Sequence, residues 1–131
     1  MLHLKILPLL LSLPFRLARS ANNMPTCIPC DSLDSSHLLT KEQIETSLGN
    51  VKEWKLVQSD KAIEKQFTFK DFVKAMAFVD QVADVAETNG HHPDIFISYN
   101  KVTLTLSTHS IGGLTQNDFV VAEQVDGLWL I

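Results

Sequence analysis

The strongest constraint on the fold is a helical period from Phe72 to Glu87 that carries two neighbouring apolar stripes. The first stripe consists of Phe72, Met76, Val79, Ala83 and Ala86, and the second of Ala75, Phe78, Val82 and Val85. A helix on the surface of a small monomer needs one apolar stripe, so two stripes predict cover on more than one side. No polar residue interrupts the stripes, which favours core packing plus a subunit contact over a cofactor pocket. We expect an isolated monomer to expose Phe78 or Val82.

Strand-like runs flank this helix in two pairs. The four runs are Trp54 to Gln58, Ile63 to Phe69, Ile95 to Tyr99 and Val102 to Thr108. The first pair encloses Ser59-Asp60-Lys61, which has the composition of a turn, and the second pair encloses Asn100-Lys101, which fits a two-residue turn. The sequence therefore predicts two β-hairpins, one before the long helix and one after it.

Two further helix starts have the same local sequence pattern. Thr40 has Gln43 three residues later, as in a capping box, and a short helix follows. Thr115 has Asp118 three residues later, ahead of a helix that runs towards Trp129. The predicted order is helix, two strands, helix, two strands, helix. This order indicates an α+β fold, a four-stranded antiparallel sheet with helices packed on one face.

Length and charge limit the functional classes. A chain of 131 residues with 45% hydrophobic content fits one compact domain. The net charge is −4, and three of the 11 basic residues, Lys5, Arg16 and Arg19, lie in the first 30 residues, which contain no acid. From Asp31 onwards 8 basic residues therefore face 15 acidic ones, giving −7. This balance opposes direct binding of nucleic acid.

The segment from Met1 to Ser20 is rich in leucine and is interrupted by Pro8 and Pro14. It is too short and too interrupted for a membrane span, so we predict no membrane partner and interpret residues 1–23 as a leader. An organellar transit peptide, a secretory signal cut after Ser20 and a cytoplasmic product that starts at Met24 remain open. Residues 24–38 are predicted as a flexible linker, and residues 39–131 as the folded domain.

The two cysteines, Cys27 and Cys30, lie in the predicted linker. A disulfide between them would close a very small loop and would not brace the fold, so we predict reduced, solvated thiols. A zinc site would need two more ligands, and His37 is the one nearby candidate.

Three histidines are predicted to converge at one end of the second hairpin. His91 and His92 precede its first strand, and His109 follows its second strand. In an antiparallel pair, the start of one strand lies beside the end of the other. Imidazole has an unperturbed pKa of about 6.5, so both protonation states are accessible near neutrality. The cluster therefore favours proton-transfer chemistry, such as a dehydration, and the sequence Gly-His-His-Pro is suited to form a fixed corner.

The spacing of these residues resembles that of a known family. The pattern consists of Glu87, His91-His92-Pro93, Tyr99, His109 and Asp118, and the segments Tyr99-Asn100-Lys101-Val102 and Leu106-Ser107-Thr108-His109 also match. The chain is similar, from about Leu39 onwards, to the pterin-4a-carbinolamine dehydratases, also called phenylalanine hydroxylase-stimulating proteins. The leader and both cysteines lie outside this resemblance.

The resemblance implies roles for the matched residues. His91 and His109 would form the acid/base pair, and His92 would hold the pterin ring or its hydroxyl. Glu87 is expected to orient His91, and Pro93 to shape the corner. Tyr99 is expected to lie half in the core and half in the site wall. For Asp118, a functional role and a helix-capping role remain equally open.

The resemblance also implies a reaction and an assembly. The reaction is the loss of water from 4a-hydroxytetrahydrobiopterin to give quinonoid dihydropterin, as part of tetrahydrobiopterin recycling, without a metal or an organic cofactor. Family members form dimers or tetramers through sheet edges and helices. The alternative is a non-catalytic binding module, since some members bind the dimerisation helices of a transcription factor and some plastid relatives act as assembly factors. A metal site formed by the three histidines is a third possibility.

Overall fold

The computed structural model describes residues 26–129, so the predicted leader lies outside the described residues. The elements are α1 (Lys41–Leu48), β1 (Lys55–Val57), β2 (Ala62–Thr68), α2 (Phe72–Asn89), β3 (Asp94–Ser98), β4 (Lys101–Leu106) and α3 (Gln116–Trp129). The predicted order and the α+β class are confirmed. Within the described part of the chain, no helix is long and apolar enough to span a membrane.

The four strands form one antiparallel sheet in the order β1-β2-β4-β3. Side chains alternate between its two faces, as the pleat requires. On the two central strands the alternate residues Ile63, Lys65, Phe67, Val102, Leu104 and Leu106 are buried, whereas the residues between them are half-buried or exposed; Ala62, at the start of β2, is buried as well. The helices therefore cover one face of the sheet, and the other face is largely open to solvent.

The turn of the second hairpin lies one residue earlier than predicted. Ser98 pairs with Lys101, so the turn residues are Tyr99 and Asn100, and Tyr99 adopts a φ of 52°. Asn100 holds the turn against the end of β2, because its Nδ2 donates to the carbonyl of Phe69 at 2.8 Å. The backbone N–H of Phe69 donates in return to the carbonyl of Asn100, also at 2.8 Å.

The helix ends follow local chemistry. The capping box at Thr40 and Gln43 is formed by two reciprocal hydrogen bonds of 2.9 and 3.2 Å. Asp71 caps α2 by accepting from the N–H of Lys74 at 2.9 Å. Gly90 ends α2 in the left-handed conformation, with φ 62° and ψ 29°, which favours glycine.

The burial of α2 corrects one prediction. Phe78 and Val82 are not exposed in the isolated chain; they are 4% and 0% accessible and belong to the main core. Phe78 packs against Phe67 and Phe69 with ring centroids 4.8 and 4.9 Å apart. The large exposed apolar side chain of the first stripe is instead Phe72, at 48%. The sheet and α3 bury Ala75, Phe78 and Val82 of the second stripe and leave Val85 half-buried, whereas the first stripe is covered only in part.

Candidate active site

The corner after α2 places two adjacent histidines in different environments. The backbone N–H of His91 donates to the carbonyl of Ala86 at 3.2 Å, which directs the chain back across the end of the helix. His91 is buried, at 5% exposure, whereas the side chain of His92 is 58% exposed. Pro93 follows, half-buried, and leads directly into β3. Its role in shaping the corner stays a prediction.

The end of β4 brings the third histidine to this corner. Asp94, the first residue of β3, pairs with Thr105 near the end of β4. A tight turn then begins with a short 3₁₀ segment, His109–Ile111, and closes through a hydrogen bond of 2.9 Å from the N–H of Thr108 to the carbonyl of Gly113. A cleft of about 190 Å³ lies here and is lined by Cys30, Gly90, His91, His92, Ser107, Thr108, His109 and Ser110. The structure thus brings the three predicted histidines together around one cleft.

Asp118 both holds His91 and caps α3. Its Oδ1 lies 2.6 Å from Nε2 of His91, and its carboxylate is fully buried. Its Oδ2 accepts from the hydroxyl of Thr108 at 2.9 Å and from the backbone N–H of Thr115 at 3.0 Å. Oδ2 therefore makes the capping contact at the start of α3, and Oδ1 makes the contact to His91. A functional role for the contact to His91 stays a prediction. An ionised carboxylate only accepts hydrogen bonds, so Nε2 of His91 carries the proton between them.

Glu87 pairs with a different histidine from the one predicted. Its Oε2 lies 2.5 Å from Nε2 of His92, five residues along the chain, and not against His91. Because Glu87 is in the last turn of α2 and is 78% exposed, it reaches the outward-facing histidine, while Asp118 holds the buried one. Each of the two adjacent histidines therefore has its own carboxylate partner.

Tyr99 is not at the cleft. It is 65% exposed, so the half-core interpretation is wrong. It occupies the turn at the opposite end of the hairpin from Asp94, about 17 Å away at the usual rise of a strand. Within one chain the structure does not bring Tyr99 to the histidines.

Sequence reasoning missed two groups at the site. Thr108 and Thr115 form a buried hydroxyl network with Asp118, and their hydroxyls lie 2.9 Å apart. Both thiols were expected to be solvated. Cys30 is exposed, whereas Cys27 is half-buried. Burial, followed by the nearby charges of Asp118 and Cys30, raises the pKa of the Cys27 thiol to about 12. The capping pattern indicated Thr115 as a helix start but not its place at the site, and no local signal indicated Thr108 or the position of the cysteines.

The cleft is lined by three histidines, a residue type that can both accept and donate a proton. Among residues 26–129, no group of three or more His, Cys, Asp and Glu side chains is arranged to hold a metal ion. The cleft offers one buried histidine with a buried carboxylate partner, one exposed histidine with an exposed carboxylate partner, and His109, which is also exposed.

Fold and site together define a small α+β protein with histidine–carboxylate pairs around a solvent-accessible cleft. The chain belongs to the pterin 4 alpha carbinolamine dehydratase family, because the family model matches residues 37–128. A Gloeobacter violaceus protein provisionally named pterin-4-alpha-carbinolamine dehydratase 2 is 54% identical over 86 residues, 64% of this chain and 94% of that protein. A Marinobacter nauticus protein with the same provisional family name is 42% identical over 106 residues, 79% of this chain and 94% of that protein.

Solved structures agree with this assignment. A Brucella melitensis protein described as a transcriptional coactivator/pterin dehydratase superimposes with a TM-score of 0.67 at 37% identity, covering 70% of this chain and 97% of that one. A pterin dehydratase-like protein described as a RuBisCO assembly factor in the alpha-carboxysome gives 0.52 at 27% identity, covering 59% and 89%. The family thus includes members described by catalysis and members described by assembly.

Proposed function

We propose that this protein is a 4a-hydroxytetrahydrobiopterin dehydratase, which removes the 4a-hydroxyl and the N5 proton to give quinonoid dihydropterin and water. The observation that carries the proposal is the buried His91–Asp118 pair in a cleft that His92 and His109 also line. A dehydration needs one group that accepts a proton and one that donates a proton, and this cleft holds histidines in distinct environments.

His91 is the proton acceptor in this proposal. With Nε2 donating to Asp118, a neutral imidazole keeps its lone pair on Nδ1. When Nδ1 takes the N5 proton, the imidazolium forms beside a fixed carboxylate that is already in place to stabilise it. Asp118 does not move during this step, because the N–H of Thr115 and the hydroxyl of Thr108 hold its other oxygen.

His109 is the proton donor to the leaving hydroxyl. It lies on the exposed side of the cleft, where it exchanges protons with water between turnovers. His92, held by Glu87 at the rim, contacts the pterin ring or its hydroxyl. These residues supply the acid/base chemistry, so the reaction as proposed needs no metal and no organic cofactor.

The direct test is the breakdown of 4a-hydroxytetrahydrobiopterin by the purified protein. We expect faster loss of the carbinolamine than in buffer, with the extra rate proportional to protein concentration. The triple variant His91→Ala, His92→Ala, His109→Ala serves as the matched protein control. A wild-type rate equal to that of this variant would contradict the proposal and leave a binding or assembly role as the better explanation.

The alternative of a non-catalytic assembly module has one observation in its favour, the likeness to the alpha-carboxysome assembly factor. The three-histidine cleft with its own carboxylates argues for catalysis instead, because a surface that only binds another protein has no need of it. The dehydratase assay described above distinguishes catalysis from a purely assembling role.

We propose in addition that the protein acts as a homodimer or homotetramer. Four of the seven large apolar side chains that are exposed in the described residues lie on two elements: Phe72 and Val73 at the start of α2, and Ile95 and Phe96 on the edge strand β3. Phe96 is 68% exposed, and an unpaired edge strand offers free backbone groups to a second copy.

Substitution at these positions tests the assembly. We expect Phe96→Glu and Phe72→Glu to shift the protein to smaller species in sedimentation, because each puts a charge into an apolar contact. Gln81→Glu, which adds the same charge to an exposed polar position of α2, should leave the species unchanged. Sedimentation of the wild type as a 14.7 kDa monomer at micromolar concentration would contradict the assembly proposal.

A further inference from the structure

A short segment outside the family match lies against the cleft. Residues 27–32, called the N-terminal strap here, precede the matched residues 37–128 and end in a 3₁₀ turn, Cys30–Ser32. The thiol of Cys30 lies 3.6 Å from the carbonyl of Gly90, the residue before His91, and the Cys30 side chain lines the cleft. The strap therefore adds a wall to a site whose other walls come from the matched domain.

The strap is held by a buried clamp and not only by its own turns. Asn117, 2% exposed, accepts from the N–H of Ile28 at 2.9 Å and donates to the carbonyl of the same residue at 2.8 Å. A side-chain amide that satisfies both backbone groups of one residue fixes the position of that residue. The thiol of Cys27 adds a contact of 3.6 Å to the carbonyl of Asn117.

The chain that follows the strap is anchored as well, at Leu38 and Leu39. The N–H of Leu39 donates to the carbonyl of Leu114 at 3.0 Å. A Cβ at Gly113 would lie 2.8 Å from Cδ2 of Leu38, so the chain passes this glycine at close range. Asn117 is next to Asp118, so the same turn of α3 positions both the strap and His91.

From these contacts we infer that the N-terminal strap is part of the substrate site, with Cys30 in contact with the bound pterin and Asn117 as the residue that positions it. This inference rests on the proposed function, because the pterin is the occupant assigned to the cleft. The strap narrows the cleft on the side of Gly90 and His91, and so affects substrate affinity more than the proton transfers made by the histidines.

Alkylation of the thiols tests the contact. Iodoacetamide is attacked by the thiolate sulfur, which forms a carbon–sulfur bond as iodide leaves, and the thiol proton goes to solvent. We expect Cys30 to react at least about tenfold faster than Cys27, which is partly buried and whose pKa is raised to about 12. Saturating 7,8-dihydrobiopterin should slow the reaction of Cys30 by about tenfold or more, as followed by mass spectrometry of the modified residue.

The kinetic arm uses the treated enzyme and Asn117→Asp. Alkylated wild type should show a KM raised by about tenfold with a smaller change in kcat, and Cys30→Ala should not respond to the reagent.

Asn117→Asp removes the donor to Ile28 but keeps a residue suited to the first turn of a helix. We expect it to raise KM, whereas Asn50→Asp, an exposed position with the same added charge, should not.

The outcomes separate this inference from the proposed function. Active wild type with an unprotected Cys30 and an unchanged KM after alkylation would overturn the strap inference alone. Wild type without dehydratase activity would overturn the proposed function, and protection of Cys30 by the dihydropterin would still support the strap. Inactive protein with an unprotected Cys30 would overturn both.

Discussion

The two adjacent histidines of the cleft differ in burial and in carboxylate partner. His91 and Asp118 are 5% and 0% exposed, and three donors from different parts of the chain meet the carboxylate. His92 and Glu87 are 58% and 78% exposed, and no hydrogen bond other than their own is recorded for either side chain in the described residues. A buried pair is fixed by the fold, whereas an exposed pair is screened by water and salt.

This difference assigns distinct tasks to neighbouring residues. The inner pair, His91 and Asp118, can hold one tautomer of the imidazole and stabilise one charge, because its geometry is fixed by the fold. The outer pair, His92 and Glu87, can change its geometry around a ligand at little cost in free energy, because both side chains are already exposed to solvent. The comparison predicts that damage to the inner pair affects both stability and rate, and that damage to the outer pair affects neither strongly.

The largest effect is expected from Asp118→Asn. The backbone N–H of Thr115 is always a donor, so the amide oxygen of the new side chain takes that contact. The amide NH₂ then faces Nε2 of His91, which must become an acceptor and carry its proton on Nδ1. We expect kcat to fall on the order of 10³-fold, since Nδ1 can no longer accept a proton. Stability should fall by about 1–3 kcal/mol in chemical unfolding.

Asp126→Asn is the matched control on the same helix. Asp126 is partly buried, at 22% exposure, and accepts from Lys65 and Trp54, outside the cleft. It should lose stability and keep kcat. Equal losses of kcat in the two variants would mean that Asp118 acts through the fold and not through His91.

His91→Ala and His109→Ala come next, and they separate burial from chemistry. Each should lower kcat on the order of 10²-fold or more, because each removes one proton-transfer group. His91→Ala should also lower the free energy of unfolding by about 1–3 kcal/mol, because Asp118 loses a buried partner. His109→Ala should change the free energy of unfolding by less than about 0.5 kcal/mol, because His109 is exposed. Wild-type turnover in both variants would remove the acid/base assignment.

A smaller effect is expected from Glu87→Gln at the outer pair. An exposed ion pair contributes about 0–1 kcal/mol, so the rate should change by less than about fivefold at low salt. The change should shrink further at 0.5 M sodium chloride, where the Debye length is only a few ångströms. Glu123→Gln, an exposed carboxylate on α3, provides the control. A salt-independent loss as large as that of Asp118→Asn would mean that the two pairs are equivalent after all.

The sequence predicts the fold well because its signals are local. The capping box at Thr40, the end of α2 near Gly90 and the alternation in β2 each depend on residues a few positions apart. The errors arise where a distant contact decides the result. Phe78 was expected to be exposed, but the sheet covers it, and the turn at Tyr99 is set by a hydrogen bond from Asn100 to Phe69.

The sequence predicts that the three histidines converge, but not which carboxylate pairs with His91 and which with His92. Hairpin geometry explains why His91 and His109 meet at one end. The choice of carboxylate depends on which way each side chain of the corner points, and no spacing rule gives that direction. The position of Cys30 depends on Asn117, 87 residues later, and was not predictable from the sequence.

The smallest effect is expected from chelation, which should not change the rate at all. In both histidine–carboxylate pairs the Nε2 atom is already occupied, so a metal at the cleft would have to use Nδ1 of His91 and His92 together with His109. Adjacent residues bring two such atoms to one tetrahedral ion awkwardly. We expect the dehydratase rate to be unchanged after exhaustive dialysis against EDTA, with buffer-only dialysis as the control. A loss of activity that zinc restores would show that the histidines bind a metal ion and that Asp118 and Glu87 orient them, as carboxylates hydrogen-bonded to metal-binding histidines often do. The difference between the buried and the exposed pair would then affect metal affinity.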